Sequence, residues 1–241
     1  APKKYFDAYP LAEIVLPPKI PGDQNDIPQN PANRRTTDNY KMDLNQQKGT
    51  LRAYYASVSF VDALVGKILG ALETTGQRDN TIVIFTSDHG YHLGEHDLWQ
   101  KVSIHEESAR VPLIICVPGK KTAVCHSLSE LIDLYPTVSQ LCGLKIPGNV
   151  QGKDISIMFD DPTVKVRDAA LSSGKGRLLR TEKWALLDYG KKGELYDMEK
   201  DPKQYENLFE KPEYAETLVM LKEKLKAKLN EIEKHDLYLI K

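Results

Sequence analysis

Apolar residues recur along this chain first with a helical period, then in two short unbroken runs, then with helical and alternating periods again. Across residues 50–75, Ala53, Tyr54, Val58, Val61, Leu64, Val65, Ile68, Leu69 and Leu72 share a helical face, and Gly76 ends the run. That spacing predicts a helix covering one side of a sheet. The β-branched and aromatic run at 81–86 predicts a short buried strand, stopped abruptly by Ser87, Asp88, His89 and Gly90. Residues 111–117 predict a second strand. Residues 127–142 predict a helix with Leu128, Leu131, Ile132, Leu134, Val138 and Leu141 inward and a kink at Pro136.

Past the turn-rich stretch 143–152 the pattern changes. Residues 169–172 and the alternating run 176–187 predict antiparallel strands, 194–197 adds a short one, and Gly174, Lys175, Gly176 and Arg177 form the hairpin turn between. Residues 215–232 predict a charged amphipathic helix with Leu218, Leu221, Leu225 and Leu229 on one stripe. The expected organisation is therefore an α/β domain over 1–148 and a smaller α+β subdomain over 149–241. Residues 1–39, rich in Pro, Asn and Asp, predict an irregular surface segment in which Arg34 and Arg35 are a solvated basic pair.

Composition narrows the partners. The 241 residues carry a net charge of −1, which argues against nucleic acid or an anionic membrane surface as a partner. No apolar stretch is expected to span a bilayer. Cys116, Cys125 and Cys142 have no C-x-x-C spacing, so neither a zinc ribbon nor a disulfide framework is expected, with Cys125 to Cys142 the one bridge an exported protein would make. The absence of an N-x-S/T sequon favours a bacterial protein, periplasmic or secreted, over a glycosylated lysosomal one.

The candidate chemistry gathers after the first strand. In open α/β sheets ligands sit beyond the carboxyl ends of the strands, and there Asp88 stands beside His89. Asp88 offers hard oxygen donors suited to calcium or magnesium, while an imidazole suits zinc or manganese and can join a mixed site. An Asp in this position also serves as a turn former or helix cap. Four of the six histidines, His89, His92, His96 and His105, fall between Asp88 and Glu106. His92 and His96 have i, i+4 spacing, but Gly90 and Gly94 argue against a zinc-binding helix. Lys101 follows thirteen positions after Asp88. Metal, lysine and histidine together fit hydrolysis of a phosphate or sulfate ester, where stabilising charge does most of the catalysis. Glu107 and Arg110 are expected to pair. A loop of this length between two core strands is expected to be functional and to form the pocket rim.

The ordered set Ser87-Asp88-His89-Gly90, Gly94-Glu95-His96, Trp99-x-Lys101 and Glu107-Ser108-x-Arg110-Val111-Pro112-Leu113 resembles the sulfatase family, nearest its iduronate-2-sulfatase branch. The opening Pro2-Lys3-Lys4-Tyr5-Phe6-Asp7-x-Tyr9-Pro10 and the later Glu194-Leu195-Tyr196-Asp197 extend the likeness over most of the chain. The resemblance implies an alkaline-phosphatase-like fold, of which this chain holds part of the main sheet. It implies calcium, with magnesium or manganese as alternatives, held by Asp88 and His89, and Lys101 on the sulfate. It puts His96 at the pocket rim, and Lys175 or Arg177, on the C-terminal subdomain, within reach of a uronate. The expected substrate is a sulfated saccharide of glycosaminoglycan type.

The family's formylglycine nucleophile arises from a C/S-x-P-x-R motif, which this chain lacks. Cys116-Val-Pro118-Gly-Lys120 is a strand end followed by a turn, its cysteine read as a buried hydrophobe. The resemblance therefore implies an N-terminal half of the same protein as partner, carrying formylglycine, with this chain inactive alone. A phosphoesterase or phosphonate hydrolase of the same superfamily, a non-catalytic sulfated-glycan-binding fragment, and one chain of a cleaved enzyme are the alternatives.

Overall fold

A computed structural model describes residues 1–28, 35–101 and 103–234. Compactness divides the chain into Ala1–Gln24 with Gln29–Gly119, and Asn25–Pro28 with Lys120–Lys241. The units therefore part before the 148/149 boundary expected from the sequence.

Two four-residue helices, α2 (Asp23–Asp26) and α3 (Thr37–Tyr40), precede α4, Leu44–Thr74, along which the first unit is built. The helix begins earlier than its apolar pattern because Asp43 and Gln46 form a reciprocal cap, each side chain accepting the other's backbone N–H at 2.8 Å. Such a cap contributes about 1 kcal/mol. The chain leaves the helix through Gly76 at φ +66°, the left-handed exit that glycine takes without strain. The N-terminal helix α1, Lys3–Asp7, packs on α4: the Arg52 guanidinium donates to the Phe6 carbonyl at 3.0 and 3.2 Å, and the Tyr9 and Ser59 hydroxyls are 2.6 Å apart. Ile14, Leu51 and Trp99 form the buried apolar cluster, with Tyr9, Leu16, Met42 and Leu93 against it. The opening segment, expected on the surface, thus buries Ile14 and, further along, Asp23 and Thr37.

The apolar face of α4 does not turn inward as its spacing suggested: Val58 is 55% and Ile68 63% exposed. By length and composition alone α4 is also long and apolar enough to cross a bilayer, the one such helix among the described residues. The strands β1, Val83–Thr86, and β4, Leu113–Cys116, pair antiparallel, from Val83 opposite Cys116 to Thr86 opposite Leu113. Two strands alone are marginal in water. Phe85 and Ile114 are exposed on it, and so is Cys116, which is in its expected strand but not buried.

The second unit carries a four-stranded antiparallel meander, β5 Ala170–Ser173, β6 Arg177–Arg180, β7 Trp184–Asp188 and β8 Gly193–Asp197. Helix α7, Ala215–Lys234, lays Leu221 and Leu225 on Leu179, Leu186 and Leu195. The helix expected over 127–142 is instead a 3-10 turn, Leu131–Asp133, followed by α6, Leu134–Leu141. Pro136 lies in the first turn of α6, where its missing N–H breaks no hydrogen bond, so it imposes no kink. Leu131 and Ile132 are exposed while Asp133, Thr137 and Ser139 are buried. Polar anchoring explains the inversion: Asp133 accepts from Lys153 N at 2.7 Å, and Thr137 Oγ1 accepts from Ile155 N at 3.0 Å. A Cβ on Gly152 would sit 2.0 Å from the Ile132 carbonyl oxygen, so only glycine lets the two backbones meet there. The three cysteines are free; Cys125 Sγ lies 3.6 Å from Met158 Sδ, so the bridge to Cys142 is not made.

Candidate active-site loop

The segment between β1 and β4 is a chain of short elements. The two-residue strands β2, His92–Leu93, and β3, Trp99–Gln100, form a hairpin, and α5, Glu106–Ala109, leads back to β4. His92 lies in β2 and His96 in the 3-10 turn Glu95–Asp97 at φ +54°, so the two do not share an α-helix, as Gly90 and Gly94 indicated. Gly90 donates its N–H to the Ser108 carbonyl at 2.9 Å. A Cβ there would fall 2.0 Å from the Glu107 carbonyl oxygen. The glycine after His89 thus lets α5 close against the strand end.

Asp88 and His89 are brought together at that end. Asp88 Oδ1 accepts from the His89 backbone N–H at 3.1 Å, and Asp88 Oδ2 lies 3.6 Å from His89 Nε2. His89 Nδ1 is 2.8 Å from the Gly90 carbonyl oxygen. Nδ1–H is the donor that this contact calls for, and Nε2 faces the carboxylate, the orientation by which a carbonyl commonly sets a metal-ligating histidine. The pair fits a cation as a partial site: among the described residues no cluster of three or more His, Cys, Asp or Glu could hold a metal.

Lys101 is exposed. His96, expected at the rim, is not there; its side chain is closed to solvent. Its Nδ1 faces Asp23 Oδ2 at 3.1 Å, and its Nε2 lies 3.8 Å from Glu107 Oε2. Glu107 therefore approaches His96, while Arg110 pairs with Glu106 at 3.7 Å instead of with Glu107. Lys175 and Arg177 are exposed at the β5–β6 hairpin of the second unit, where Gly174 donates its N–H to the Gly176 carbonyl. Arg34 lies outside the described residues; the Arg35 carbonyl accepts from Trp99 N at 2.9 Å.

Sequence reasoning missed what grips this loop. Gln24 donates to the His96 carbonyl, Lys19 pairs with Asp97 at 2.9 Å, Thr36 bridges to Leu98, and Trp99 Nε1 donates to Thr37 Oγ1 at 2.9 Å. The gripping residues come from the stretch read as irregular, and only the polar turn at Pro21 and Gly22 hinted at local structure.

Beneath the loop His92, His96 and His105 cluster, with His96 and His105 stacked at 4.8 Å and His92 edge-on to both. Ser103 Oγ is 2.5 Å from His92 Nε2. Burial, reinforced by His105 and His96, holds His92 well below the ordinary histidine value. A group whose folded pKa is depressed contributes stability that is complete above its unfolded pKa, about 6.5, and is lost as pH falls toward the folded value. The urea midpoint should therefore fall between about pH 7.5 and about pH 5.5, by up to about 1.4 kcal/mol per pH unit from this group. His92→Gln should flatten that slope; an equal slope in the variant would mean His92 is not its source.

Residues 17–144 match the family described as Sulfatase, and residues 94–231 match N-sulphoglucosamine sulphohydrolase, C-terminal. An arylsulfatase of Clostridium perfringens is 32% identical over 92% of this chain and 48% of its own length. The iduronate 2-sulfatase of Homo sapiens is 31% identical over 61% of this chain and 34% of its own length. A solved protein, BT4656, in complex with its substrate D-glucosamine-2-N,6-O-disulfate, aligns at TM-score 0.67 and 30% identity, covering 80% of this chain and 43% of that one. The phosphonate monoester hydrolase of Silicibacter pomeroyi aligns at TM-score 0.87 over 99% of this chain and 55% of that one; at 23% identity it shows the alkaline-phosphatase-like fold alone. The chain spans about half or less of the length of these relatives. With the motif order from Ser87 to Leu113 lying inside the first of those matches, this chain is a member of the sulfatase family.

Proposed function

We propose that this chain is the C-terminal part of an enzyme that hydrolyses a sulfate ester on a sugar, splitting the ester with water into alcohol and sulfate. The observation that carries the reading is the Asp88–His89 pair at the end of β1, with His89 Nε2 turned toward the carboxylate. In this reading Asp88 and His89 supply two donors to calcium, or to magnesium or manganese. Calcium takes about 6–8 oxygen-rich ligands, so the others come from the N-terminal half of the same protein, which also carries the formylglycine nucleophile. The cation supplies Lewis-acid polarisation of the ester. Lys101 neutralises sulfate charge. The exposed apolar face of α4 then meets the remainder of the main sheet and not a bilayer. Sulfated polysaccharides reach a cell from outside, so a periplasmic or secreted bacterial enzyme accords with this reading.

The likeness to iduronate 2-sulfatase and to a glucosamine-disulfate-binding protein supports a sulfated sugar as the substrate class. The phosphonate hydrolase likeness is one of fold, and rates on matched sulfate and phosphate esters separate the two chemistries. The test of the reading is turnover of 4-nitrophenyl sulfate. The 241-residue chain alone should give none, and a preparation joined to an N-terminal half bearing C/S-x-P-x-R should give calcium-dependent turnover. Robust hydrolysis by the chain alone would refute the division of labour, and a completed protein that favours the phosphate ester would refute the sulfatase assignment.

A further inference from the structure

The backbone leading into Lys101 is unlike the rest of the described chain. Five non-glycine residues among those described have positive φ, and His96, Asp97 and Gln100, at +54°, +53° and +72°, are three of them. Asp and His enter the left-handed region more readily than most residues. Gln100 has no such excuse, and it is the residue immediately before Lys101. Conformations of this kind persist only where the surroundings over-determine them.

Here the surroundings do so from one side. The buried Asp23 carboxylate meets His96 Nδ1 across 73 positions of sequence, and neighbouring Gln24 donates to the His96 carbonyl. Thr37 and the Arg35 carbonyl hold Trp99 by its indole and backbone N–H groups. Every residue from His96 to Trp99 is thus tied to the 19–37 segment, directly or through the bridge at Leu98. Among the described residues these ties end at Trp99. Gln100 pairs with His92 in the two-residue hairpin, and the next side chain, Lys101, is exposed.

We propose that the Asp23–His96 contact is a positioning clasp: it holds the 96–100 backbone in its left-handed turns so that Lys101 presents its ammonium from one fixed place. His96 is then a positioning residue and not a member of the pocket rim. A clasp serving stability alone has no reason to hold an unfavourable Gln100 backbone at the approach to an exposed cation. A clasp serving presentation does, because the left-handed turns set the direction in which the chain reaches Lys101. The inference rests on the reading that Lys101 meets the anionic end of the substrate.

The test uses the 241-residue chain and inorganic sulfate, read by the NMR shift of the Lys101 Cε carbon, assigned with Lys101→Arg. Gln100→Gly is the decisive variant, since glycine takes φ +72° without the Cβ penalty and also frees the backbone to leave it. It should raise the denaturation midpoint while weakening the Lys101 response to sulfate by roughly three- to tenfold. Asp23→Ala should weaken that response at least as much, and Asp23→Asn, which keeps an acceptor for His96, should restore most of it. A purely structural clasp makes stability and sulfate response move together. The inference is overturned if Gln100→Gly leaves the response unchanged, or if both quantities rise. Failure of the parent reading looks different: Lys101 in the unaltered chain would then show no saturable response to sulfate at all.

Discussion

Replacing Lys101 by alanine in the completed enzyme should lower kcat/KM on a sulfate monoester by roughly 10²–10³, the usual cost of removing one group that stabilises developing charge. A sulfate ester carries one negative charge before reaction and develops more on the leaving oxygen as the bond breaks. An ammonium fixed beside it acts with little reorganisation, and more strongly once water is excluded. Lys101→Arg should not restore full activity, because a planar guanidinium does not present charge as a point. Lys165, paired with Glu182 at 2.6 Å on the surface of the second unit, is the matched control; its removal should leave kcat/KM unchanged. Loss within about threefold for Lys101→Ala would mean that the lysine does not meet the ester.

Local patterns were legible where local forces decide the structure. The meander and α7 follow alternation and heptad-like spacing because each element buries one face against another within the same unit, as Leu179, Leu186, Leu195, Leu221 and Leu225 do. The polar stop after β1 was legible because the apolar run ends there at Ser87, Asp88, His89 and Gly90. Faces were less legible. Apolar spacing on α4 predicts a buried face, and the described chain leaves much of that face exposed. Helix α6 was read from its leucines, yet it is fixed by Asp133 and Thr137, whose buried hydrogen bonds have no periodic signature. The grip on the loop was invisible for a similar reason. Asp23 and His96 stand 73 positions apart, and no spacing rule predicts which distant polar residue will meet a buried imidazole. Glu107 was assigned to Arg110 by proximity in sequence, but α5 sends Glu106 to Arg110 at i+4 and points Glu107 toward His96.

The largest stability effect should come from Arg167, far in sequence from the loop. Its side chain is 3% exposed, and its guanidinium meets Glu130 Oε2 at 2.8 Å and Asp133 Oδ1 as well. Those carboxylates are anchored in turn. Glu130 Oε1 accepts from Leu171 N at 2.7 Å and lies 3.0 Å from Lys228 Nζ, while Asp133 Oδ2 accepts from Glu130 N at 2.8 Å. One cation thus ties the 3-10 turn before α6 to the edge strand β5 and to α7. Removing it leaves two nearly buried carboxylates short of their principal counter-charge, and breaking such a network from one side costs about 3–5 kcal/mol. Arg167→Met keeps most of the volume, so packing loss is small and the electrostatic loss dominates. Urea denaturation should show a midpoint shift of that size, with the denaturant slope preserved. Lys165→Ala, which breaks only the exposed pair with Glu182, should fall within about 1 kcal/mol of the unaltered chain. If Arg167→Met were equally mild, the two carboxylates would have to gain water or protons on losing the arginine, and the network could not be what holds the second unit together.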